Sequence, residues 1–224
     1  RLIELVDARK QPSKASMTVY IDPDYAAAEL KKAEEENKER WAKLSPEELE
    51  QEKSKVLYKV ALKVAKQILF TKVSDLIADA EVDYVGGAIV LRFDKDKLAE
   101  RDCTLHEVKK VIETGKRKVE VDEANLTLIL RLEGLDLIGL NMQLDKILNM
   151  RVKGIPNVNR VTVEKEGDEW FIRTAGSNFS KTLKVEGVDR RRTITNNIFE
   201  IATVLGIEAA RTALVKEIMS TLDE

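Results

Sequence analysis

One histidine, one cysteine and a run of three arginines are the residues of this chain whose types invite chemistry. His106 falls in the first turn of an amphipathic helix, with no cysteine or second histidine at ligand spacing, and reads as a surface residue. Cys103 lies in the polar stretch ERDCTLHE, which offers no base to activate a thiol. Gly86-Gly87 leads into a strand rather than a helix, unlike a phosphate-binding loop. Asp94-Lys95-Asp96-Lys97 lacks the glycine and distal glutamate of a calcium loop, and no other aspartate cluster has metal-binding spacing. No catalytic residue and no metal ligand is assigned. In VDRRRTITNN, Arg190, Arg191 and Arg192 precede a helix start beside Thr193, Thr195 and Asn196. Arginines there could grip phosphate with help from the helix dipole, or could pair with local acids. Lys116-Arg117-Lys118 reads as a solvated surface turn.

The elements that must position these residues are drawn from 224 residues, 43% hydrophobic and 35% charged, enough for one or two domains. A net charge of −2 gives no global signature for nucleic acid, so local patches would have to supply any such contact. Aromatics at 5% argue against single-strand binding by stacking. The lone cysteine excludes a disulfide framework and fits a reducing compartment. No apolar run reaches the roughly 18 residues of a membrane span. RLIELV begins within an apolar helical pattern and EIMSTLDE carries no helix stop, so the chain is expected to be a piece of a longer polypeptide.

After a short helical start and the polar break QPSKAS, SMTVYI alternates as a half-buried strand with Met17, Val19 and Ile21 on one face. Residues 24–68 form a charged arm, expected as two helices broken near Leu44–Ser45. Ser45-Pro46-Glu47-Glu48 is a helix start, and Val56, Val60, Val64 and Ile68 make a docking stripe. GGAIVLRFD is a strand with Ile89, Leu91 and Phe93 on one face. Thr104 and Glu107 form a capping box opening a helix with Leu105, Val108 and Ile112 inward. Two strands follow, KVEVD and NLTLILRLEG, the second alternating through Leu126, Leu128, Leu130 and Leu132. A helix over about 135–150 carries Leu137, Leu140, Leu144, Ile147 and Leu148, and NRVTVEKEGDEWFIRT is a hairpin turning at Gly167-Asp168. The fold class is α+β, and the order β-α-β-β-α-β matches the ferredoxin-like plan. Beyond the connector GSNFSKTLKVEGVD, Thr195 or Asn196 is expected to cap a helix with Ile198, Ile201, Ala202 and Leu205 on one face. Gly206 ends it, and a second helix runs through Ile207, Ala210, Leu214 and Ile218.

The run GSNFSKTLKVEGVDRRRTITNNIFEIATVLGIEAARTALVKEI resembles a stretch near the C-terminus of the largest subunit of cellular RNA polymerases. It is most similar to the archaeal form, in which that subunit is split and this piece is called A″. The matching residues are Thr174, Gly176, Ser177, Asn178, Gly187-Val188-Asp189, Arg192, Thr195-Asn196-Asn197, and Val204 to Arg211. RLIELVDARKQPSKASMTVYI resembles the segment after the trigger loop, and Val60 to Arg151 resembles the jaw in order and pattern. Only about Ala26 to Lys55 departs, being longer and more charged than the usual link.

The resemblance implies a jaw and cleft piece that encloses downstream DNA and supports the trigger loop. Its expected divisions are 1–24 (cleft segment), 25–70 (charged arm), 71–175 (α+β jaw) and 176–224 (helical cleft segment). The catalytic aspartates and their Mg²⁺ belong to another piece of the subunit, so this one needs no cofactor of its own and is expected to be inactive alone. Expected partners are the other polymerase subunits, including the N-terminal piece of the largest subunit, and duplex DNA, in the cytoplasm and away from membranes. Arg190, Arg191 and Arg192 are the candidates for DNA contact. Glu208 and Arg211 can pair three apart on one helix, and with Gly206 and Asn196 they are the structural candidates. A free-standing ferredoxin-like nucleic-acid or regulatory module is the alternative. An RNA-recognition module would show aromatics along Leu126–Leu132, and a small-molecule module would show glycine in DKDKLAERD; neither does.

Overall fold

The computed structural model describes residues 14–41, 45–113, 119–132, 136–167 and 169–222. The elements run β1 (Ser16–Tyr20), α1 (Pro23–Glu36), α2 (Lys38–Trp41), α3 (Pro46–Ile68), β2 (Thr71–Lys72), β3 (Ile77–Asp83) and β4 (Ala88–Phe93). Next come α4 (Lys95–Glu100), α5 (Leu105–Ile112), β5 (Val119–Asp122), β6 (Thr127–Arg131), α6 (Leu137–Leu148) and β7 (Arg151–Lys153). The last are β8 (Arg160–Glu166), β9 (Glu169–Ala175), α7 (Phe179–Thr182), β10 (Ile194–Thr195), α8 (Ile198–Leu205) and α9 (Ile207–Leu222). They fall into two compact units, one of residues 1–69 with 155–224, the other Phe70–Gly154. The helical start before Lys14, the Lys116–Lys118 turn and Asp168 lie outside the described residues.

The first unit is built on an antiparallel sheet ordered β10-β1-β9-β8. Its register sets Met17 opposite Thr174 and Val19 opposite Ile172, so the alternation of SMTVY sends those two side chains into the core. α3 covers that face with Val64, Ala65 and Ile68, joined by Ile155, Val158, Phe179 and Val188. The start of α3 is as its sequence signals: Glu48 N–H donates to Ser45 Oγ at 3.4 Å and Ser45 N–H donates to Glu48 Oε2 at 3.0 Å. Those bonds to Ser45 hold the Glu48 carboxyl below its ordinary range. α1 buries no residue and lies antiparallel along α3, with Glu34 3.4 Å from Lys53 at one end and Tyr25 bonded to Lys63 at the other. The alanine-rich charged arm is thus one side of a helical hairpin, with Trp41 as its buried anchor.

The second unit is an antiparallel sheet ordered β3-β4-β6-β5. Ile89, Leu91, Phe93, Leu128 and Leu130 share one face, and α4, α5 and α6 cover it with Leu98, Leu105, Val108, Ile112 and Ile147. The Thr104–Glu107 capping box forms as expected. α6 departs from its expected stripe: Leu140 and Ile147 are buried, whereas Leu137 is exposed with Ile138 and Met142.

The α+β class holds, but the ferredoxin-like order needs correction. That plan requires the strand after α6 to join the sheet that holds β4 and β6. The strand after α6 in this chain is the short β7, which pairs with β2 in a separate ladder, and the next hairpin, β8–β9, belongs to the first unit. The edge of β4 away from β6 is taken instead by β3, the strand preceding it, through pairs such as Glu81 with Val90. β3 has little sequence signal, because only Ile77 of its residues is buried and Asp79, Glu81 and Asp83 face solvent.

The helix at 198 also differs. Its cap is Asn197, whose Oδ1 accepts from Glu200 N–H at 3.4 Å, not Thr195 or Asn196. Those two are committed to β1: Thr195 Oγ1 donates to Ser16 O, and Asn196 accepts from Ser16 N–H and donates to Lys14 O. Gly206 does end α8, at φ +96°, a conformation that favours glycine. Of the expected inward residues, Ile201 and Ala210 are buried, while Leu205, Ile207 and Ile218 are exposed.

Candidate nucleic-acid interface

The three arginines lie in a tight turn organised by Asp189. Its Oδ1 accepts from Arg191 N–H at 2.9 Å and Arg192 N–H at 3.3 Å, and Thr193 Oγ1 donates to Asp189 O at 2.6 Å. Asp189 N–H in turn donates to Tyr20 O, pinning the turn to the end of β1. β10 and the cap Asn197 separate the turn from α8, so the helix N-terminus does not serve these arginines; it holds Glu200 in its first turn.

The arginines then divide. Arg192 makes two parallel bonds to Glu169, at 2.5 and 3.1 Å, and its guanidinium stands 4.5 Å from the centre of the Tyr20 ring. Its bonding lowers the Glu169 pKa and raises that of Arg192. Tyr20 continues onto Phe171, whose other neighbour is Arg173, paired with Glu164 at 3.5 Å. Arg192 is therefore a clasp between the turn and β9. Arg190 and Arg191 are exposed, and among the described residues no acid pairs with their side chains. Of the three arginines in this turn, they are the two left to meet an anion.

Beneath the turn lies a polar knot. Ser177 Oγ donates to Glu200 Oε2 at 2.6 Å, Phe179 N–H donates to the same oxygen at 2.7 Å, and Ser177 lies 3.0 Å from Thr195 Oγ1. Asn178 Nδ2 donates to Pro156 O, and Thr174 Oγ1 accepts from Met17 N–H. Gly176 passes so close to Asn157 that a Cβ would sit 1.7 Å from its carbonyl oxygen, at φ +100°. The Thr174, Gly176, Ser177, Asn178, Thr195, Asn196 and Asn197 pattern is thus a set of bonds joining β1, β9, α7 and α8. Glu200 and Glu169 organise the knot and the clasp without a local mark: Glu169 sits among other acids, and Glu200 is a lone acid in an apolar helix whose partners lie more than 20 residues away.

Glu208 and Arg211 do pair, at 3.6 Å, but both are largely exposed and on one helix, where such a pair adds little stability. His106 lies at the surface, 3.1 Å from Glu123. Cys103 is buried, which pushes its thiol pKa up and keeps it protonated. Among the described residues no group of three or more His, Cys, Asp or Glu could hold a metal ion, and no helix is long and apolar enough to cross a membrane.

The family model described as RNA polymerase Rpb1, domain 5, matches residues 1–224. The chain belongs to the RNA polymerase Rpb1 domain 5 family. It is 36% identical over 224 residues to the DNA-directed RNA polymerase subunit Rpo1C of Methanocaldococcus jannaschii, covering 100% of this chain and 23% of that relative. The chain thus spans about a quarter of that relative's length. In this Rpb1 domain 5 chain, the Gly176–Glu200 knot holds the ends of β1, β9 and α8 together.

Proposed function

We propose that this chain is the part of an archaeal multi-subunit RNA polymerase's largest subunit that follows the trigger loop and forms jaw and cleft walls around downstream DNA. The observation that carries this reading is the family match over the whole chain, residues 1–224. The assembled enzyme is a nucleotidyltransferase. This piece contributes walls rather than reacting groups and is inactive alone. The Mg²⁺ of the reaction is, on this reading, held by another piece of the subunit. On this reading the site of action is the cytoplasm.

Arg190 and Arg191 supply sequence-independent phosphate contacts, which position a duplex without reading it. Arg192, Glu208, Arg211, Gly206 and Asn196 act architecturally. The exposed apolar residues of α8 and α9, including Phe199, Leu205, Ile207, Val215, Ile218 and Met219, suit burial against the N-terminal piece of the largest subunit or its neighbours. Reconstitution tests the reading. Polymerase assembled from separately produced subunits should need this chain for template-directed RNA synthesis. Purified alone, the chain should incorporate no nucleotide. Full synthesis by a polymerase reconstituted without residues 1–224 would overturn the assignment.

A further inference from the structure

Among the described residues of the second unit, α4, α5 and α6 pack on one face of the sheet and no helix packs on the other. On that face β3 presents Asp79, Glu81 and Asp83, β4 presents Ala88, Val90 and Arg92, β6 presents Thr127, Ile129 and Arg131, and β5 presents Glu120 and Asp122. Among the described residues of this face, five carboxylates stand against two guanidinium groups, a net charge of −3. Both arginines lean outward onto acids of the edge strands, Arg92 to Glu81 at 3.0 Å and Arg131 to Glu120 at 3.2 Å. That leaves the middle of the face to Val90 and Ile129, directly opposite one another and half-buried. Val90 opens onto a cleft of about 440 Å³ bounded by Arg92, Asp122, Asn125 and Thr127. Asp122 stays ionised beside it, its carboxyl held below the ordinary range by Asn125.

We infer that this face docks a basic polypeptide segment, one whose lysines or arginines flank a small apolar side chain seated over Val90 and Ile129. Two physical facts choose the occupant. The carboxylates outnumber the guanidinium groups and occupy both edge strands, so a duplex phosphate backbone is repelled while a cationic segment is attracted. The uncharged centre is the Val90–Ile129 pair with Ala88 and Thr127 beside it, two strands wide and bounded by acids on both edge strands, which suits an aliphatic side chain of an extended segment. The phosphate contacts proposed for Arg190 and Arg191 thus fall to the first unit, and this face of the second is left for protein.

The test uses the full chain, ¹⁵N-labelled, titrated with an alternating lysine–valine hexapeptide. Amide shifts should concentrate at Val90, Arg92 and Ile129. Glu81→Lys with Glu120→Lys should weaken the peptide by about tenfold or more, as should added salt. The amide spectrum itself reports whether that variant folds; if it does not, Glu81→Gln with Glu120→Gln supplies the comparison and should also weaken binding. A glutamate–valine hexapeptide and a short DNA duplex should leave these amides unmoved. Shifts centred elsewhere, undiminished affinity in the charge variants, or equal perturbation by the duplex would each overturn the inference.

Discussion

Glu200 reaches from the first turn of α8 to the Ser177 hydroxyl at 2.6 Å, and the same oxygen accepts the Phe179 N–H at 2.7 Å. One carboxylate oxygen thereby fixes the start of α7 against the start of α8. Two protein donors converge on a partly buried anion, and removing either leaves its charge less well solvated.

Glu200→Ala should therefore destabilise the chain by about 2–3 kcal/mol, and Ser177→Ala by about 1–2 kcal/mol, with Glu200→Gln intermediate. Urea unfolding followed by circular dichroism measures this. Equal midpoints for wild type and Glu200→Ala would remove the knot from the account of stability.

Gly176→Ala should be more severe than either. A Cβ there would lie 1.7 Å from Asn157 O, and the backbone sits at φ +100°. Backbone must move on both sides, so a loss of about 4 kcal/mol or more is expected, shown by a low thermal midpoint or insoluble product. Gly167→Ala is the control: its φ is +62° but a Cβ would meet nothing within 4 Å, so only the conformational cost of about 1 kcal/mol remains.

The Glu169–Arg192 clasp should show itself in acid. The Glu169 pKa is lowered in the folded chain by its bonds to Arg192. Its stabilisation is thus present above the unfolded value of about 4.3 and lost as pH falls through the lower folded value. Wild type should lose stability relative to Glu169→Gln below about pH 4, and the two should converge once the carboxylate is protonated. Both side chains are exposed, so the difference should be small and shrink with salt. A stability difference unchanged between pH 7 and pH 2 would refute the clasp.

Arg190→Ala with Arg191→Ala should weaken duplex binding by the assembled polymerase equally for all sequences. It should lower the slope of log affinity against log salt by about 0.9 for each phosphate that is no longer neutralised. Filter binding across a salt series reads this directly. An unchanged slope would take both arginines out of the DNA path. Arg192→Ala should behave differently, moving stability through Glu169 and Tyr20 more than it moves the salt slope.

Local signals in the sequence settled much of this protein. The capping boxes at Ser45 and Thr104, the alternation of Met17 with Val19 and of Leu128 with Leu130, and the glycine break at Gly206 depend on residues a few positions apart. Their hydrogen bonds and faces are decided within a turn or a strand. The Gly176–Arg211 run was legible only as a resemblance; the bonds that tie its Ser177 to Glu200 and Thr195 join residues 18 to 23 apart and leave no local pattern. What only the tertiary structure decided were the pairings between distant segments. β3 took the β4 edge that the ferredoxin-like order reserves for a strand after α6, because an edge strand needs backbone partners more than an apolar face. β9 pairs not with the sheet of the second unit but with β1, near the other end of the sequence, bringing Met17 opposite Thr174. The same folding put Glu169 under Arg192 and left Arg190 and Arg191 open to solvent. Three like arginines in a row carry no local mark of which is clasped and which is free; their distinction is the position of an acid on another strand.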